Sequence, residues 1–441
     1  MKIDGNFPEK YFEEACINLK SKYIILQKES AFSTSEQLKA ISIYRKFNTK
    51  SLSHKISVYT ENQKKMLIKS KIAHKNQIVV NGTPRSDYAF RLRKIAPKEK
   101  IIVFGTGGSN LGARALNNII SNNKIILEFY DNVDPINFEK NFQNINFELT
   151  GFLVISKSGT TPETLSQFSC LYQKAIEANK VEDFFSNTLI ITEFKESPLF
   201  KIAKDNNCLL LEHHKDVGGR YSIFTNVGIV PAIISGLNID ALFGGASEVI
   251  NNIDNYKPYD LGRYLTQKEN VKFTNNVLMT YSDSLYFFGK WYLQLWAESI
   301  GKNNKGITAI HSVGTTDQHS QLQLYLDGPK DKYFTFITTD HSNKGIKINN
   351  NMFEGTDIDY FKDKTMGDLM EAEQRATIET FKLNNFSFRE IYIPKIDEQN
   401  LGKLLSFSII ETIASCMYLD VDPFDQPAVE QGKKLTKTYL R

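Results

Sequence analysis

The sequence predicts an α/β protein with two doubly wound, mainly parallel sheets in tandem. Short apolar runs of strand length recur along the chain, and helical patterns such as the one from 164 to 180 separate them. Strands covered on both faces are nearly continuous in apolar residues, and strand–helix alternation predicts a parallel sheet between layers of helices. The 441 residues, 41% of them hydrophobic and 24% charged, suffice for about two or three globular domains.

Two series of candidate strands divide the chain. The first series comprises Lys100–Phe104, Lys124–Tyr130, Gly151–Ile155, Thr188–Thr192 and Cys208–Leu211. The second series comprises Val277–Tyr281, Gln321–Leu326, Tyr333–Thr338 and Arg389–Ile393. A helical passage from about 225 to 264 lies between them. We therefore expect a helical N-terminal extension (1–70) packed on the second domain, a first α/β domain (71–235), a second α/β domain (236–425) and a C-terminal helix (426–441).

Charge and cysteine content exclude several classes of protein. The net charge of +4 is too small to bind nucleic acid or an anionic membrane through bulk charge. The four cysteines form no CxxC pair, and we expect Cys170 and Cys416 to be buried free thiols. The N-terminus lacks a signal-peptide core, and no run of about 18 apolar residues predicts a membrane span. We expect a soluble, cytoplasmic protein without a metal site.

A glycine-rich loop follows the first strand of the first series. It reads GTGGSNLG from Gly105 to Gly112 and leads into a helical segment. Free backbone N–H groups and a helix N-terminus at such a turn can bind an anion. Asn110 breaks the Rossmann fingerprint, and the Walker A ending is absent. An anion site and a simple tight turn are both compatible with this loop.

A second loop, which follows the third strand, predicts a phosphate site more strongly. Its sequence SKSGTTPET places four hydroxyl side chains where a helix begins, on Ser156, Ser158, Thr160 and Thr161. Pro162 suits the first position of a helix and Thr161 its N-cap. One hydroxyl is enough to cap a helix, so a cluster of four favours a bound phosphate over capping alone.

A candidate general base lies on a helix predicted from 284 to 300. Trp291, Gln294 and Glu298 share one face of this helix, which also has an apolar stripe on a second face. Burial of Glu298 against Trp291 and Gln294 would raise a carboxylate pKa towards the range that a general base needs. The alternative is a surface glutamate that interacts with Lys302.

Three further segments contain candidate functional side chains. Arg220 follows two glycines and could stabilise an oxyanion, although a plain turn with a surface arginine fits equally well. His319 follows a polar loop, a position that suits a structural histidine as well as a catalytic one. Gln426 and Lys433 share a face of the C-terminal helix, which alone would be taken for an ordinary surface helix.

Taken together, these segments resemble the glucose-6-phosphate isomerase (phosphoglucose isomerase) family, whose members have two sugar-isomerase (SIS) domains. The resemblance covers about 105 to 433 and rests on six motifs in the family's order. These motifs are GTGGSNLG, SKSGTTPET, DVGGRYSIFTNVG, QLWAES, GTTDQHSQLQ and FDQPAVEQGK. Pro427-Ala428 depart from the Trp-Gly common in the last motif, and Asn226 replaces a usually small residue.

The resemblance implies a role for each matching residue. It implies Glu298 as the base, His319 with Lys433 as the ring-opening pair, and Arg220 as the group that stabilises a cis-enediolate. It implies that the substrate and its phosphate are bound by Gly108, Ser109, Ser156, Lys157, Ser158, Thr161, Gly219, Gln294 and Gln426. It further implies a hexose 6-phosphate substrate, no cofactor, a role in glycolysis and gluconeogenesis, and a homodimer in which His319 reaches the neighbouring subunit's site.

Three alternative functions remain open from the sequence. A non-catalytic sugar-phosphate sensor would need the phosphate loops but not Glu298, His319 and Arg220 together. A nicotinamide dehydrogenase would use the Gly105 loop, with Asp131 as a weak ribose partner. A glutamine-dependent sugar aminotransferase would need an N-terminal catalytic cysteine, which this chain lacks.

Overall fold

A computed structural model describes residues 24–26, 55–58, 61–69, 71, 73–80, 98–119 and 125–441. The chain divides into two compact units, Met1–Ile95 and Ala96–Arg441. The second unit contains both predicted sheets, and the borders of the two α/β domains within it stay a prediction. The predicted fold class, an α/β protein with two parallel sheets, is confirmed.

The first unit contains a small parallel sheet. Its strands β1 (Ile24–Leu26), β2 (Lys55–Val58) and β3 (Ile78–Val80) pair in chain order, and a helix spans Glu61–Lys69. The expectation of an entirely helical segment from 1 to 70 is therefore wrong for β1 and β2. Most of that segment, including Cys16, lies outside the described residues.

The first large sheet has five parallel strands. They are β4 (Lys100–Phe104), β5 (Ile126–Tyr130), β6 (Thr150–Ile155), β7 (Thr188–Thr192) and β8 (Leu209–Glu212). Their order is β5-β4-β6-β7-β8. The chain moves outward from β4 in both directions, and in such doubly wound sheets ligands bind beyond the carboxyl ends of the strands at the reversal point. The loops after β4 and β6 are therefore neighbours at that edge.

The second large sheet has four parallel strands, β9 (Asn275–Thr280), β10 (Thr308–Val313), β11 (Lys332–Thr339) and β12 (Phe388–Ile393), in the order β10-β9-β11-β12. The predicted strand at Gln321–Leu326 is wrong, since the chain forms a helix at Leu322–Asp327. The second strand in chain order is β10, which was not predicted. Its sequence TAIHSV contains three polar residues among the apolar ones.

Helices cover the sheets and connect their strands. Around the first sheet they span Leu111–Asn117, Pro135–Asn141, Pro162–Glu177, Val181–Ser186 and Pro198–Asp205. Between the sheets they span Asn226–Ser235, Ile239–Asn251, Ile253–Tyr256 and Asp260–Leu265. Around the second sheet they span Tyr286–Ile300, Leu322–Asp327, Met366–Leu383 and Glu398–Tyr418, and Glu430–Tyr439 follows.

The helix Tyr286–Ile300 connects the two halves of the second unit. It packs against Leu111–Asn117 of the first half and against β10 and Glu398–Tyr418 of the second. Its apolar stripe is buried, as the sequence predicted, and Trp291 and Trp296 are fully enclosed, whereas Gln294 and Glu298 on the second face are only half-buried. Burying large aromatic side chains stabilises a contact by about 2–3 kcal/mol each, so this helix holds the two sheets together.

One helix in the described part of the chain, Glu398–Tyr418, is long and apolar enough to cross a membrane. More than half of its most apolar window is buried inside the protein, and Glu411 on it forms a buried ion pair with Arg389. These features are typical of a core helix.

The two cysteines predicted to be buried differ in the structure. Cys416 is buried, and burial raises the pKa of its thiol to about 11, whereas Cys170 is exposed, so the prediction of a buried thiol is wrong for Cys170.

Candidate active site

Two glycines bring the glycine-rich loop from Gly105 to Gly112 against the loop that bears Arg220. After β4 the chain forms a tight turn, Gly107–Ser109, in which Gly107 has φ +52°. A Cβ atom at Gly108 would lie 2.1 Å from the carbonyl carbon of Gly219. The two backbones are therefore in direct contact, and Ser222 Oγ lies 3.3 Å from the Gly108 carbonyl oxygen. This contact fixes the position of Ser109 relative to Arg220.

The hydroxyl-rich loop after β6 uses few of its hydroxyl groups for helix capping. Thr161 is the N-cap of Pro162–Glu177, as predicted, but its side chain makes no capping bond. Its Oγ1 lies 2.8 Å from Ser156 Oγ, which also accepts a bond from the Gly159 N–H at 3.2 Å. Ser158 Oγ accepts from Thr160. The hydroxyls thus bond to one another around a helix N-terminus, an arrangement that can receive an anion.

Lys157 of the same loop is half-buried and oriented by a carboxylate. Its Nζ lies 3.7 Å from Glu193 Oε1, and its carbonyl oxygen accepts bonds from the Glu193 N–H and Thr192 Oγ1. The loop after β6 is therefore tied to the end of β7. Lys157 supplies a positive charge at the carboxyl edge of the first sheet, and Ser109 supplies a hydroxyl group from the loop after the neighbouring strand.

Arg220 is the most enclosed charged group of the site, with 1% of its surface exposed. Its Nε donates to Ser299 Oγ (2.9 Å), and its Nη2 donates to the carbonyls of Pro423 (2.5 Å) and Asp425 (3.0 Å). Its Nη1 donates to Gln426 Oε1 and lies 3.4 Å from Glu298 Oε2. A buried guanidinium needs such a full set of acceptors, so the alternative of a surface arginine is excluded.

Glu298 lies between Arg220 and Gln294. Its Oε1 accepts from Gln294 Nε2 at 2.9 Å, one helical turn away. The side chain is 31% exposed, so it is less sheltered than the sequence predicts, while Trp291 on the same face is fully buried. The carboxylate is therefore partly open to solvent and makes one long contact, at 3.4 Å, with the guanidinium of Arg220.

Lys302 does not pair with the Glu298 carboxylate, contrary to the alternative raised by the sequence. Its Nζ donates to the main-chain carbonyls of Glu298 (3.2 Å), Ser299 (2.7 Å) and Asp422, and lies 3.3 Å from Asp425 Oδ1. A cation at the carboxyl end of a helix is favourable. Lys302 thereby ties the loop before Gln426 to the helix that bears Glu298.

Two predicted residues are not brought into this cluster. His319 is exposed, on a turn held by Asp317, whose Oδ2 accepts from the Val313 N–H at 2.7 Å. Lys433 is 60% exposed and pairs with Glu430 at 2.6 Å on a helix without buried residues. Their roles stay predictions.

The sequence did not single out two groups of the site. The Tyr221 hydroxyl, within the motif DVGGRYSIFTNVG, contacts Ser299 beside Arg220, and the carbonyl of Pro423 accepts from Arg220 itself. Carbonyl acceptors leave no signal in the sequence. Asp131 forms an ion pair with Arg114 at 3.0 Å, so it is not an uncommitted ribose ligand. Among the described residues, no group of His, Cys, Asp and Glu could hold a metal ion.

The fold and site define an α/β protein with a hydroxyl-lined helix N-terminus at the edge of a parallel sheet and a carboxylate beside a buried arginine. The family model described as phosphoglucose isomerase matches residues 95–441. The chain belongs to the phosphoglucose isomerase family, and it is an isomerase.

Individual relatives agree with this assignment. A probable glucose-6-phosphate isomerase from Methanococcus maripaludis is 36% identical, with 78% of each chain covered. One from Haloarcula marismortui is 32% identical, with 79% of each covered. A crystal structure of a hypothetical protein from Thermus thermophilus has a TM-score of 0.74 and 29% identity, covering 81% of this chain and 88% of that one. A glucose-6-phosphate isomerase structure from Chlamydia trachomatis has the same fold, with a TM-score of 0.66, 20% identity and coverage of 91% and 78%.

Proposed function

We propose that the protein interconverts glucose 6-phosphate and fructose 6-phosphate by moving a proton through a cis-enediolate. The main support is the contact set around Glu298, whose two carboxylate oxygens face Gln294 and the buried Arg220. The phosphate would bind at Ser109, Ser156, Lys157, Ser158 and Thr161. That end of the substrate fixes the orientation of the reacting carbons, and orientation is a large part of catalysis.

The proton balance of the reaction assigns a task to each group. In the open-chain aldose, Glu298 removes the C2 proton, the C1–C2 double bond forms and negative charge moves to O1. The protonated Glu298 then returns the proton to C1, while a proton passes from O2 to O1. Arg220 stabilises the charged intermediate, a contribution of about 3 kcal/mol when the donor is preorganised. His319, with Lys433, opens the ring by transferring protons between O5 and O1.

The variant Glu298→Gln tests the assignment of the base. The amide keeps the shape and the bond to Gln294 but cannot take a proton, so we expect kcat to fall about 10²- to 10⁴-fold. Isomerisation is measured by coupling glucose 6-phosphate formation to its dehydrogenase. Glu379→Gln, an exposed glutamate on Met366–Leu383, is the matched control. A folded Glu298→Gln variant with near-wild-type turnover would remove Glu298 from this role.

An isotope experiment tests the path separately. In D2O we expect deuterium to enter C1 of fructose 6-phosphate, because an acidic proton on Glu298 can exchange with solvent at a 31% exposed position. NMR of the product reports the label. Turnover without any exchange, over many cycles, would count against a proton-transfer path.

We further propose a homodimer in which His319 completes the neighbouring subunit's site. His319 is exposed in its own chain, and large apolar side chains are exposed nearby in sequence, on Ile346, Met352, Tyr360 and Met366. Mixing inactive His319→Asn and Glu298→Gln chains should restore about a quarter of wild-type activity, since half of the random dimers have one intact site of two. A mixture no more active than its components would contradict a shared site.

The cellular setting is also a proposal. An enzyme of this activity would act in the cytoplasm, in glycolysis and gluconeogenesis, where both hexose phosphates occur. Localisation of a tagged full-length chain by fractionation checks the compartment, and recovery with the membrane fraction would contradict it.

A further inference from the structure

Ser299 and Tyr221 form a hydrogen-bonded pair behind the guanidinium of Arg220. Ser299 Oγ lies 2.9 Å from Arg220 Nε and 2.8 Å from the Tyr221 hydroxyl, and Ser299 is completely buried. The Tyr221 hydroxyl also lies 3.0 Å from the Pro423 carbonyl oxygen. We infer that Ser299 and Tyr221 are positioning residues that hold one edge of Arg220, so that its Nη1 edge faces the reacting atoms. This inference rests on the proposed isomerase function.

The direction of each hydrogen bond in this group follows from its chemistry. Arg220 can only donate and the Pro423 carbonyl can only accept. Ser299 Oγ therefore accepts from Arg220 Nε, and the single Tyr221 proton goes to Pro423, which leaves the Ser299 proton for the Tyr221 oxygen. All three bonds point away from the guanidinium. Bonds aligned head to tail polarise and strengthen one another.

This alignment separates the donors of Arg220 into two sets. Nε and Nη2 are held by Ser299, Pro423 and Asp425. Nη1 faces Glu298, the proposed base, and Gln426, which the family resemblance implies as a substrate-binding residue. Neutral acceptors thus fix the Nε and Nη2 groups of the guanidinium, and Nη1 is left to contact Glu298 and Gln426.

The chemistry of Tyr221 suits a fixed donor. The pKa of its hydroxyl is raised, because the effect of burial exceeds the opposing effects of the bond to Ser299 and the charge of Arg220. The hydroxyl therefore keeps its proton throughout the neutral range. The centroid of the Tyr221 ring lies 5.1 Å from Arg220 Cζ and 5.6 Å from the centroid of the Phe424 ring. These contacts restrict the motion of the tyrosine side chain.

Tyr221→Phe is the first test, because it removes one oxygen and keeps the ring. We expect kcat to fall about tenfold, the effect of one lost hydrogen bond, with KM changed less than about twofold. Ser299→Ala should lower kcat by at least as much. The double variant should be no worse than the poorer single variant, because both act through the same guanidinium. The control is Tyr264→Phe, which breaks a comparable tyrosine–serine bond to Ser387 at 3.3 Å.

A second readout does not depend on activity. The Arg220 Nε–H proton should exchange slowly with solvent in NMR spectra of the wild-type chain, and clearly faster in Tyr221→Phe and Ser299→Ala. Slow Nε–H exchange in a wild-type protein without isomerase activity would contradict the proposed function, but it would still support the positioning of Arg220 by Ser299 and Tyr221. A folded Tyr221→Phe variant with wild-type kcat and unchanged Nε–H exchange would overturn the inference, and so would additive losses in the double variant.

Discussion

The contact between Gly108 and Gly219 gives a sharp test of how the site is assembled. Gly108→Ala adds a methyl group 2.1 Å from the Gly219 carbonyl carbon and 2.4 Å from its oxygen, where ordinary contacts begin near 3.4 Å. Both partners are backbone atoms, so the loops must separate by more than an ångström. A displacement of about 1 Å can cost a factor of about 10² in rate, and overpacking costs about 1–3 kcal/mol of stability. We expect kcat/KM to fall about 100-fold.

The assay is the coupled isomerisation, with the free energy of unfolding measured by urea titration. Gly244→Ala is the control, because it lies exposed in the helix Ile239–Asn251 and its new methyl group would meet nothing within 4 Å. Alanine is the better helix former, so Gly244→Ala should keep full activity and gain up to about 1 kcal/mol. The reasoning is refuted if a folded Gly108→Ala protein keeps kcat/KM within about twofold of wild type.

Three further outcomes follow from other contacts. Ser156→Ala removes the bond to Thr161 and the acceptor for the Gly159 N–H, so KM for fructose 6-phosphate should rise about tenfold with kcat little changed; a fall in kcat alone would argue against a binding role. Lys302→Met should lower kcat and cost about 1–3 kcal/mol in urea unfolding, because the carbonyl of Asp422 and those at the helix end lose their donor; unchanged stability would show that the loop is held otherwise. Burial lowers the pKa of His311 from 6.5 to about 4, so the unfolded chain binds more protons in that window and stability falls as the pH drops through it. His311→Gln should flatten this dependence in urea titrations across that window, and an unchanged slope would contradict it.

The sequence predicted the sheets well where apolar runs were unambiguous. Lys100–Phe104 and Thr188–Thr192 were placed at their observed bounds, because strands covered on both faces are apolar throughout. Gln321–Leu326 was misassigned, since its alternating polar and apolar residues imitate a strand over too few residues to reveal a helical period. Strand β10 was not predicted because it contains polar residues. One of them, His311, forms a hydrogen bond with Thr280 inside the protein.

The candidate site was only partly accessible from the sequence. Motif order identified Glu298 and Arg220, and the structure brings their side chains within 3.4 Å. Spacing along one helix overestimated the shelter of Glu298, because exposure depends on what packs opposite. The groups that hold Arg220 were invisible, since they are carbonyls and hydroxyls supplied by the fold rather than by a pattern of residue types.

The guanidinium of residue 220 has consequences for the timing of synthesis. Its carbonyl partner at Pro423 lies 203 positions further along the chain. At about 5–20 residues per second, a ribosome needs roughly 10 to 40 s to supply that acceptor. Until then the Nη2 group of this charged side chain lacks both of its carbonyl acceptors. The first large sheet can form early, but the full set of bonds around Arg220 forms only after nearly the whole chain has been made.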